Sequence, residues 1–504
     1  LSKFFVWVEF YLILQSTIYF QCTLADGVEN MFQDVNAFFT AFGASVVVPV
    51  MIFIIALFLK VQPKMAMMSA LYAGVGLTGF GWIISEFTPV VTKIIKQMVS
   101  TTGIKLPVVD IGWQAGSLAS FGSTVGLAFF VFGLLFELLI FALGITKVFM
   151  ASNLWNNFGF MIWGTMAYYV THNFWLSMGL SFFMLLYSLV LAEVQADRWS
   201  DYYGVKNATV AAPHNIEQTI PAILLDPLWN LLGFNRVKVT PEYFKNKLGV
   251  FGEPTTLGAL LGLIIGILGN LHSLGTIKVW GQILQFAVQL AAVMTIFPLV
   301  TGVFAKAFAP LAEEIDKNRK KEVAEQGKEI DAIHDKKRWF LGVDDGVGYG
   351  EPATIIAGVI LIPIMVVIAF ILPGNRTLPV VDLISLPFMV ESIVAVTRGN
   401  ILKVIANGIV WFSLGLYASS WLGTIYTGTV SHYGVAIPAG VVLITSFNLI
   451  ARPVNALIFA AFISQNPVWI GLCIVIYLVA LYGLRQYRPQ IWSYLNRMAE
   501  KNAK

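Results

Sequence analysis

The sequence predicts an all-α polytopic membrane protein of about ten to twelve transmembrane segments, with re-entrant hairpins. Hydrophobic residues make up 57% of the 504 residues and charged residues only 12%, whereas soluble domains are about 25% charged. A transmembrane helix needs about 20 apolar residues, so the longest uncharged stretches each hold two passes, or one pass and a re-entrant segment. The uncharged stretches are 111–136, 148–192, 279–305, 404–451 and 453–484.

Composition also limits the class of protein. The net charge of +4 gives no reason to expect a nucleic-acid partner. The two cysteines form neither a disulfide framework nor a metal-binding Cys/His spacing, so we expect no metal and no cofactor. An ATP-driven pump would need a phosphate-binding loop, and the sequence has no such motif. Secondary transport stays open, with Asp110, Glu253 and Glu351 as candidate proton carriers.

Residues 1–30 form an N-terminal extension for which three interpretations compete. An apolar stretch at 4–24 is interrupted by Glu9 and Gln15. It fits an extra helix, an uncleaved signal-like segment, or residues translated upstream of a start at Met31. We expect the transport domain to cover residues 31–490.

The transport domain combines apolar spans with one polar segment. Residues 106–124 include Asp110, Trp113 and Ser117 among several glycines and serines, and are too polar for a lipid-facing helix. Because they lie between apolar segments, they predict a buried re-entrant hairpin that lines a cavity. The spans predicted around it are 42–60, 69–95, 125–147, 155–170, 175–195 and 280–306.

A charged loop at 311–345 and a tail at 491–504 set the expected orientation. Residues 311–338 carry eight acidic and eight basic residues, which predicts a solvated helix or hairpin. By the positive-inside rule, the bases of the loop and of the C-terminus place both segments in the cytoplasm.

One phrase occurs twice, as Phe251-Gly252-Glu253-Pro254-Thr255-Thr256 and as Tyr349-Gly350-Glu351-Pro352-Ala353-Thr354. Each copy opens an apolar run long enough to cross a bilayer. Proline suits the first helical turn, and the exposed N–H groups there favour a carboxylate. The repeated motif predicts either a carboxylate that binds a polar substrate or two similar helix starts. Its two copies also point to an internal repeat.

A series of motifs resembles one family of carriers. In order these are Val108-Val109-Asp110-Ile111-Gly112-Trp113, Pro213-His214, Phe251-Gly252-Glu253-Pro254, Gly258 with Gly-Leu-Ile-Ile-Gly at 262–266, Pro373-Gly374-Asn375, Leu378-Pro379 with Asp382, and Arg398-Gly399-Asn400. They resemble the galactitol-type enzyme IIC, the membrane subunit of the bacterial phosphoenolpyruvate-dependent sugar phosphotransferase system. The likeness spans about residues 31–490.

The resemblance implies the fold of the ascorbate–galactitol superfamily. Its members are homodimers in the bacterial inner membrane, with inverted repeats, re-entrant hairpins and elevator-like movement. A separate enzyme IIB carries the phosphocysteine and receives phosphate through enzyme IIA. The expected function is therefore translocation of a hexitol or related polyol, coupled to its phosphorylation by enzyme IIB. The alternative is a proton-coupled transporter without phosphorylation.

Two positions depart from galactitol carriers, and a third is variable among them. Gln114 and Asn215 stand where the family has proline and glycine, and relatives can have histidine in place of Glu351. The resemblance therefore gives the subfamily and leaves the substrate open.

Glu253 and His214 are the first candidates for substrate binding. The Glu253 carboxylate can accept charge-assisted hydrogen bonds from two neighbouring hydroxyls of a polyol. His214 can take the proton of a hydroxyl that is being phosphorylated. The competing interpretations are a helix anchor for Glu253 and a structural role for His214.

Four further residues complete the predicted site. Asp110 either anchors the hairpin or contacts substrate, and Glu351 either binds substrate or anchors a helix. Trp113 stacks on the carbon skeleton of the substrate or serves in packing. Ser117 supplies a hydroxyl contact.

Overall fold

The computed structural model describes residues 44–79, 81–82, 106–237, 254–325, 338–437 and 441–503. The predictions for the extension 1–30 and for Glu253 lie outside these residues, as do parts of the predicted span 69–95 and of the charged loop. Where the chain is described, most of it is helical, as the predicted class requires.

Eighteen helices are described besides short 3₁₀ turns at Met150–Asn157, Leu271–Ser273 and Asp382–Ser385. They are α1 (Ala44–Phe58), α2 (63–79), α3 (Trp113–Gly122), α4 (Thr124–Ala142), α5 (Phe158–Thr171), α6 (Phe174–Tyr203), α7 (Pro213–Ile216), α8 (Thr219–Leu224), α9 (Asp226–Leu231), α10 (Pro254–Gly269), α11 (Ile277–Glu325), α12 (Gly346–Tyr349), α13 (Pro352–Ile371), α14 (Leu386–Thr397), α15 (Ile401–His432), α16 (Phe447–Ile450), α17 (Pro453–Ile463) and α18 (Pro467–Ala503).

Six of the described helices, α4, α6, α11, α13, α15 and α18, are long and apolar enough to cross a membrane. Shorter apolar helices at Val48–Phe58, Gly258–Gly269 and Pro453–Ile463 add to them. The chain is therefore a polytopic helical membrane protein, as predicted. The predicted ten to twelve segments also counted residues outside the described ranges.

Side chains fix several of the helix starts. Ser123 lies between α3 and α4 and caps α4, because its Oγ accepts the Gly126 N–H at 2.9 Å. Asn173 caps α6 by accepting the Leu176 N–H at 3.0 Å. Asn400 caps α15 in the same way, because Ser and Asn side chains satisfy N–H groups that the first turn leaves unpaired.

Two small parallel sheets were not predicted. Their strands are β1 (Val108–Asp110), β2 (Val148–Phe149), β3 (Ala208–Val210), β4 (Phe340–Val343), β5 (Thr377–Leu378) and β6 (Leu443–Thr445). The first sheet has the order β5-β1-β6, and the second has the order β2-β4-β3. In the first sheet Val108 pairs with Thr377 and with Leu443; in the second, Leu341 pairs with Phe149 and with Ala208.

The sheets interlace two halves of the chain. Strand β1 belongs to the first half but lies between β5 and β6 of the second. Strand β4 belongs to the second half but lies between β2 and β3 of the first. Exchanging the halves maps one sheet onto the other, so residues 108–210 and 340–445 form an internal repeat.

The charged loop has different boundaries from those predicted. Residues up to 325 continue α11, which is a single helix of 49 residues. At the other end, residues 340–343 are the buried central strand β4. The sequence did not predict this strand, because four residues after a charged segment leave no periodic signal.

The C-terminal segment 491–504 was predicted as a tail. Its described part continues α18, with a kink at Tyr487 and Pro489 inside the helix. Trp492 and Leu495 on it are fully buried. The apolar part of α18, unlike this C-terminal part, is mostly exposed, because only 6% of it is buried within the chain. It therefore faces lipid or another protein.

Candidate substrate-binding site

Asp110 ends strand β1 and holds three segments together through backbone N–H groups. Its Oδ1 accepts from Gly112 at 3.0 Å and from Phe447 at 3.2 Å. Its Oδ2 accepts from Val380 at 3.0 Å and from Asp382 at 2.7 Å. Both oxygens are thus occupied by the chain itself, and this geometry favours the anchoring interpretation of Asp110.

Asp382, at the start of the 3₁₀ turn that follows β5, accepts hydrogen bonds in a similar way. Its Oδ1 accepts the Trp113 N–H, and its Oδ2 accepts both the Asn448 N–H and the Ser446 hydroxyl. Asp110 and Asp382 are both buried. We call these two carboxylates with their donors the anchoring cluster, because most of their hydrogen bonds join segments that are far apart in the sequence.

Trp113 and Ser117 lie one turn apart on α3. The Trp113 ring stacks on the Phe158 ring, with the two ring centroids 5.3 Å apart. This contact favours the interpretation that Trp113 serves in packing. Ser117 is buried on the same helix, six residues of which are buried. The helix is therefore the internal polar segment that the sequence predicted.

Glu351 caps the helix that the second Gly-Glu-Pro phrase opens. Its Oε2 accepts both the N–H and the hydroxyl of Thr354 at 2.8 Å, and its Oε1 accepts the Tyr202 hydroxyl at 2.8 Å. This is the geometry of a helix anchor. The first phrase also opens a helix, since α10 begins at Pro254, but Glu253 lies outside the described residues.

His214 pairs with Asp345 across the second sheet. His214 is on α7, just after β3, and Asp345 follows β4, so the adjacent strands bring the two side chains together. His214 Nε2 makes a short hydrogen bond with Asp345 Oδ2, and both residues are buried. Asn156 Nδ2 donates to the other Asp345 oxygen at 3.4 Å. Asp345 thus orients the imidazole.

Two opposite charges occupy equivalent places in the repeat. Glu217 lies seven residues after the end of β3, and Arg452 lies seven residues after the end of β6. Both are fully buried. Glu217 accepts the Asn455 N–H at 2.9 Å and the Trp411 indole N–H at 3.1 Å, while Arg452 Nε donates to the Asn448 carbonyl at 2.8 Å. The Glu217–Asn455 bond joins the two segments.

Several buried polar atoms on these segments have no hydrogen-bond partner among the described residues. They are Nδ1 of His214, both amide atoms of Asn215, Oε1 of Gln218, Nη1 of Arg452 and Nδ2 of Asn455. Buried polar groups in folded proteins are nearly always paired, because leaving one unpaired costs roughly 1–3 kcal/mol. The set contains donors and acceptors side by side. A ligand rich in hydroxyl groups would pair both kinds.

We call segments 213–218 and 452–455 the polar pocket. The sequence pointed to His214 within it and noted Asn215 only as a departure from the family. It missed Glu217, Asp345 and Arg452. Arg452 could have been found, because it is the one charged residue between Lys403 and Arg485, and an isolated charge in apolar surroundings marks a functional candidate.

The family model described as PTS system sugar-specific permease component, EIIC-GAT, matches residues 37–440. The chain belongs to this family. The EIIC-GAT permeases are multi-pass proteins of the cell membrane, and membership implies the EIIB and EIIA components of the phosphotransferase system as partners.

Individual relatives agree with that assignment. The galactitol-specific EIIC component of the PTS system of Escherichia coli strain K12 is 26% identical over 439 residues, covering 86% of this chain and 92% of the relative. Its counterpart in Escherichia coli O157:H7 gives the same values. A putative permease IIC component of strain K12 is 24% identical over 369 residues, covering 73% of this chain and 80% of the relative.

Proposed function

We propose that this EIIC subunit binds a hexitol or related polyol in the polar pocket and translocates it for phosphorylation by EIIB. The unpaired polar atoms of His214, Asn215, Gln218, Arg452 and Asn455 carry the proposal. Each polyol hydroxyl both donates and accepts, so one chain of hydroxyls satisfies neighbouring donors and acceptors together. The galactitol-specific relatives support a polyol as the substrate.

The His214–Asp345 pair supplies the proton acceptor in the proposed mechanism. When the Asp345 carboxylate accepts the Nε2–H, the lone pair of the imidazole lies on Nδ1, which has no partner in the chain. A substrate hydroxyl donates to Nδ1 and loses its proton there as its oxygen attacks phosphorus. The phosphorus–sulfur bond of the EIIB phosphocysteine breaks, and the cysteine thiolate leaves. The products are the phosphorylated polyol and a protonated His214.

The remaining predicted site residues have separate proposed roles. Glu253 binds two polyol hydroxyls at the start of α10. Trp113 and Ser117 line the path of the substrate on α3. Asp110 and Glu351 act through the structure, since the chain itself occupies their carboxylate oxygens.

Uptake of radiolabelled polyols tests the proposed function directly. Cells that express this chain with its EIIB and EIIA partners should accumulate phosphorylated polyol, and cells without the partners should accumulate none. Unmodified polyol accumulating without the partners would instead establish the proton-coupled transporter.

We also propose that the chain forms a homodimer with its C-terminus and the 311–337 segment in the cytoplasm. The basic residues of both segments support this orientation through the positive-inside rule. A cysteine placed at Ala324 should react with an impermeant maleimide only after the cells are opened. Reaction in intact cells would reverse the orientation, and a monomeric mass in mild detergent would argue against the dimer.

A further inference from the structure

A groove opens between α6 and α18, where the apolar parts of both helices end. The two helices run side by side in the same direction, since Phe183 packs on Tyr477 with ring centroids 5.8 Å apart and Glu193 pairs further along with Arg485. It is a shallow groove open to its surroundings, and the empty space in it, counted together with its open mouth, is about 200 Å³. Its walls are largely aliphatic, formed by Ile145, Leu186, Leu189, Val190 and Leu481.

Positive charge exceeds negative charge at one end of the groove. The Glu193 carboxylate accepts hydrogen bonds from Arg485 and from Arg488, and it also accepts the backbone N–H of Lys147. Among the described residues, no carboxylate lies within ion-pairing distance of the Lys147 ammonium group. Partial burial and then the charge of Arg485 lower the pKa of Lys147, as expected of a cation with too little negative charge around it.

The position of the groove along α18 is also informative. Residues 467–484 carry no charge, and side chains such as Ile476 and Val479 are exposed on this part of the helix. Arg485 is the first charged residue after them. The groove therefore lies where the exposed apolar surface of α18 ends and charged residues begin, as expected near the polar interface of a membrane.

We propose that this groove binds an anionic phospholipid, with an acyl chain along the aliphatic walls and the headgroup phosphate beside Lys147 and Arg485. Basic pockets between transmembrane helices bind anionic headgroups, and the phosphate would supply the negative charge that Glu193 alone does not provide. The occupant is a lipid rather than a free phosphate because a free ion would contact only the basic end and leave the aliphatic walls uncovered.

Native mass spectrometry of the delipidated full chain tests this site. Dioleoyl phosphatidylglycerol is titrated onto the wild type, onto Lys147→Gln, which removes the unpaired cation, and onto Val190→Trp, which fills the groove without changing charge. Lys278→Gln is the matched control, since Lys278 is an exposed lysine at the start of α11. We expect affinity to fall about tenfold in the two groove variants, which is about 1.4 kcal/mol, and to stay unchanged in the control.

Two further ligands test whether the groove binds an anionic lipid rather than any lipid or a free phosphate ester. Dioleoyl phosphatidylcholine, which carries no net charge, should bind to the groove more weakly than phosphatidylglycerol. Glycerol phosphate should not compete at millimolar concentration. The proposal is overturned by equal affinity for the two lipids, by competition from glycerol phosphate, or by wild-type affinity in both groove variants.

Discussion

The anchoring cluster and the polar pocket differ in how their polar groups are satisfied. Asp110 and Asp382 use both carboxylate oxygens on hydrogen bonds from the chain. The polar pocket leaves atoms of His214, Asn215 and Arg452 without partners, although these residues are just as deeply buried. A saturated cluster contributes rigidity, and an unsaturated one is available to a ligand. The anchoring cluster thus fastens neighbouring segments to one another, whereas the polar pocket, whose segments follow β3 and β6, is the site at which we propose that substrate binds.

The largest effect should come from the anchoring cluster. Asp110→Ala leaves four buried N–H groups without an acceptor, and at roughly 1–3 kcal/mol each this exceeds about 4 kcal/mol of folding free energy. We expect little folded protein and a much lower unfolding temperature in detergent. Glu500→Ala is the control, because Glu500 is exposed on α18 and its loss should change stability by less than about 0.5 kcal/mol. If the Asp110→Ala protein is stable but fails to bind polyol, the anchoring role is wrong and Asp110 belongs to the binding site.

The next effect concerns proton transfer in the polar pocket. His214→Gln removes the proton acceptor, so phosphoryl transfer from phosphorylated EIIB to bound polyol should slow by about 10²- to 10⁴-fold. Asp345→Asn should slow the same step while leaving the imidazole in place. Polyol affinity, measured separately by equilibrium binding, should fall much less in both proteins. Normal transfer rates with weakened binding would make His214 a binding residue only.

Glu253→Gln compares the two Gly-Glu-Pro phrases. If the carboxylate accepts from two polyol hydroxyls, losing both charge-assisted bonds should cost roughly 2–4 kcal/mol, which weakens binding by roughly 30- to 1000-fold. Titration of the purified protein with polyol measures this change. Yield should be unaffected, because a neutral amide is easier to bury than a carboxylate. Near-normal affinity would assign Glu253 to structure.

Glu351→Gln is the matched variant in the second phrase, and its effect should be the smallest. It weakens a helix cap, which costs about 0.5–2 kcal/mol. The unfolding temperature should fall slightly, whereas polyol affinity should stay at the wild-type value. If affinity falls instead, the two phrases act alike and the contrast between them is wrong.

Much of the fold could be predicted because it depends on local composition. Long uncharged stretches gave the spans, and the glycines and serines of 106–124 gave an internal polar segment. The strands were not predicted, because two to four residues show no period and their partners lie far away in sequence. The pairing of His214 with Asp345 also depends on strand adjacency between residues 131 positions apart, which local patterns do not encode.

The interlaced strands have a consequence for biosynthesis. Asp110 receives one of its hydrogen bonds from Phe447, which follows it by 337 positions. At about 5–20 residues per second, a ribosome needs roughly 17 to 67 s to make that intervening chain. Until β5 has been made, β1 has neither of its neighbouring strands, and throughout the whole interval Asp110 lacks the N–H group of Phe447. The first half of the chain is therefore made with an incomplete sheet, which only the strands of the second half can complete.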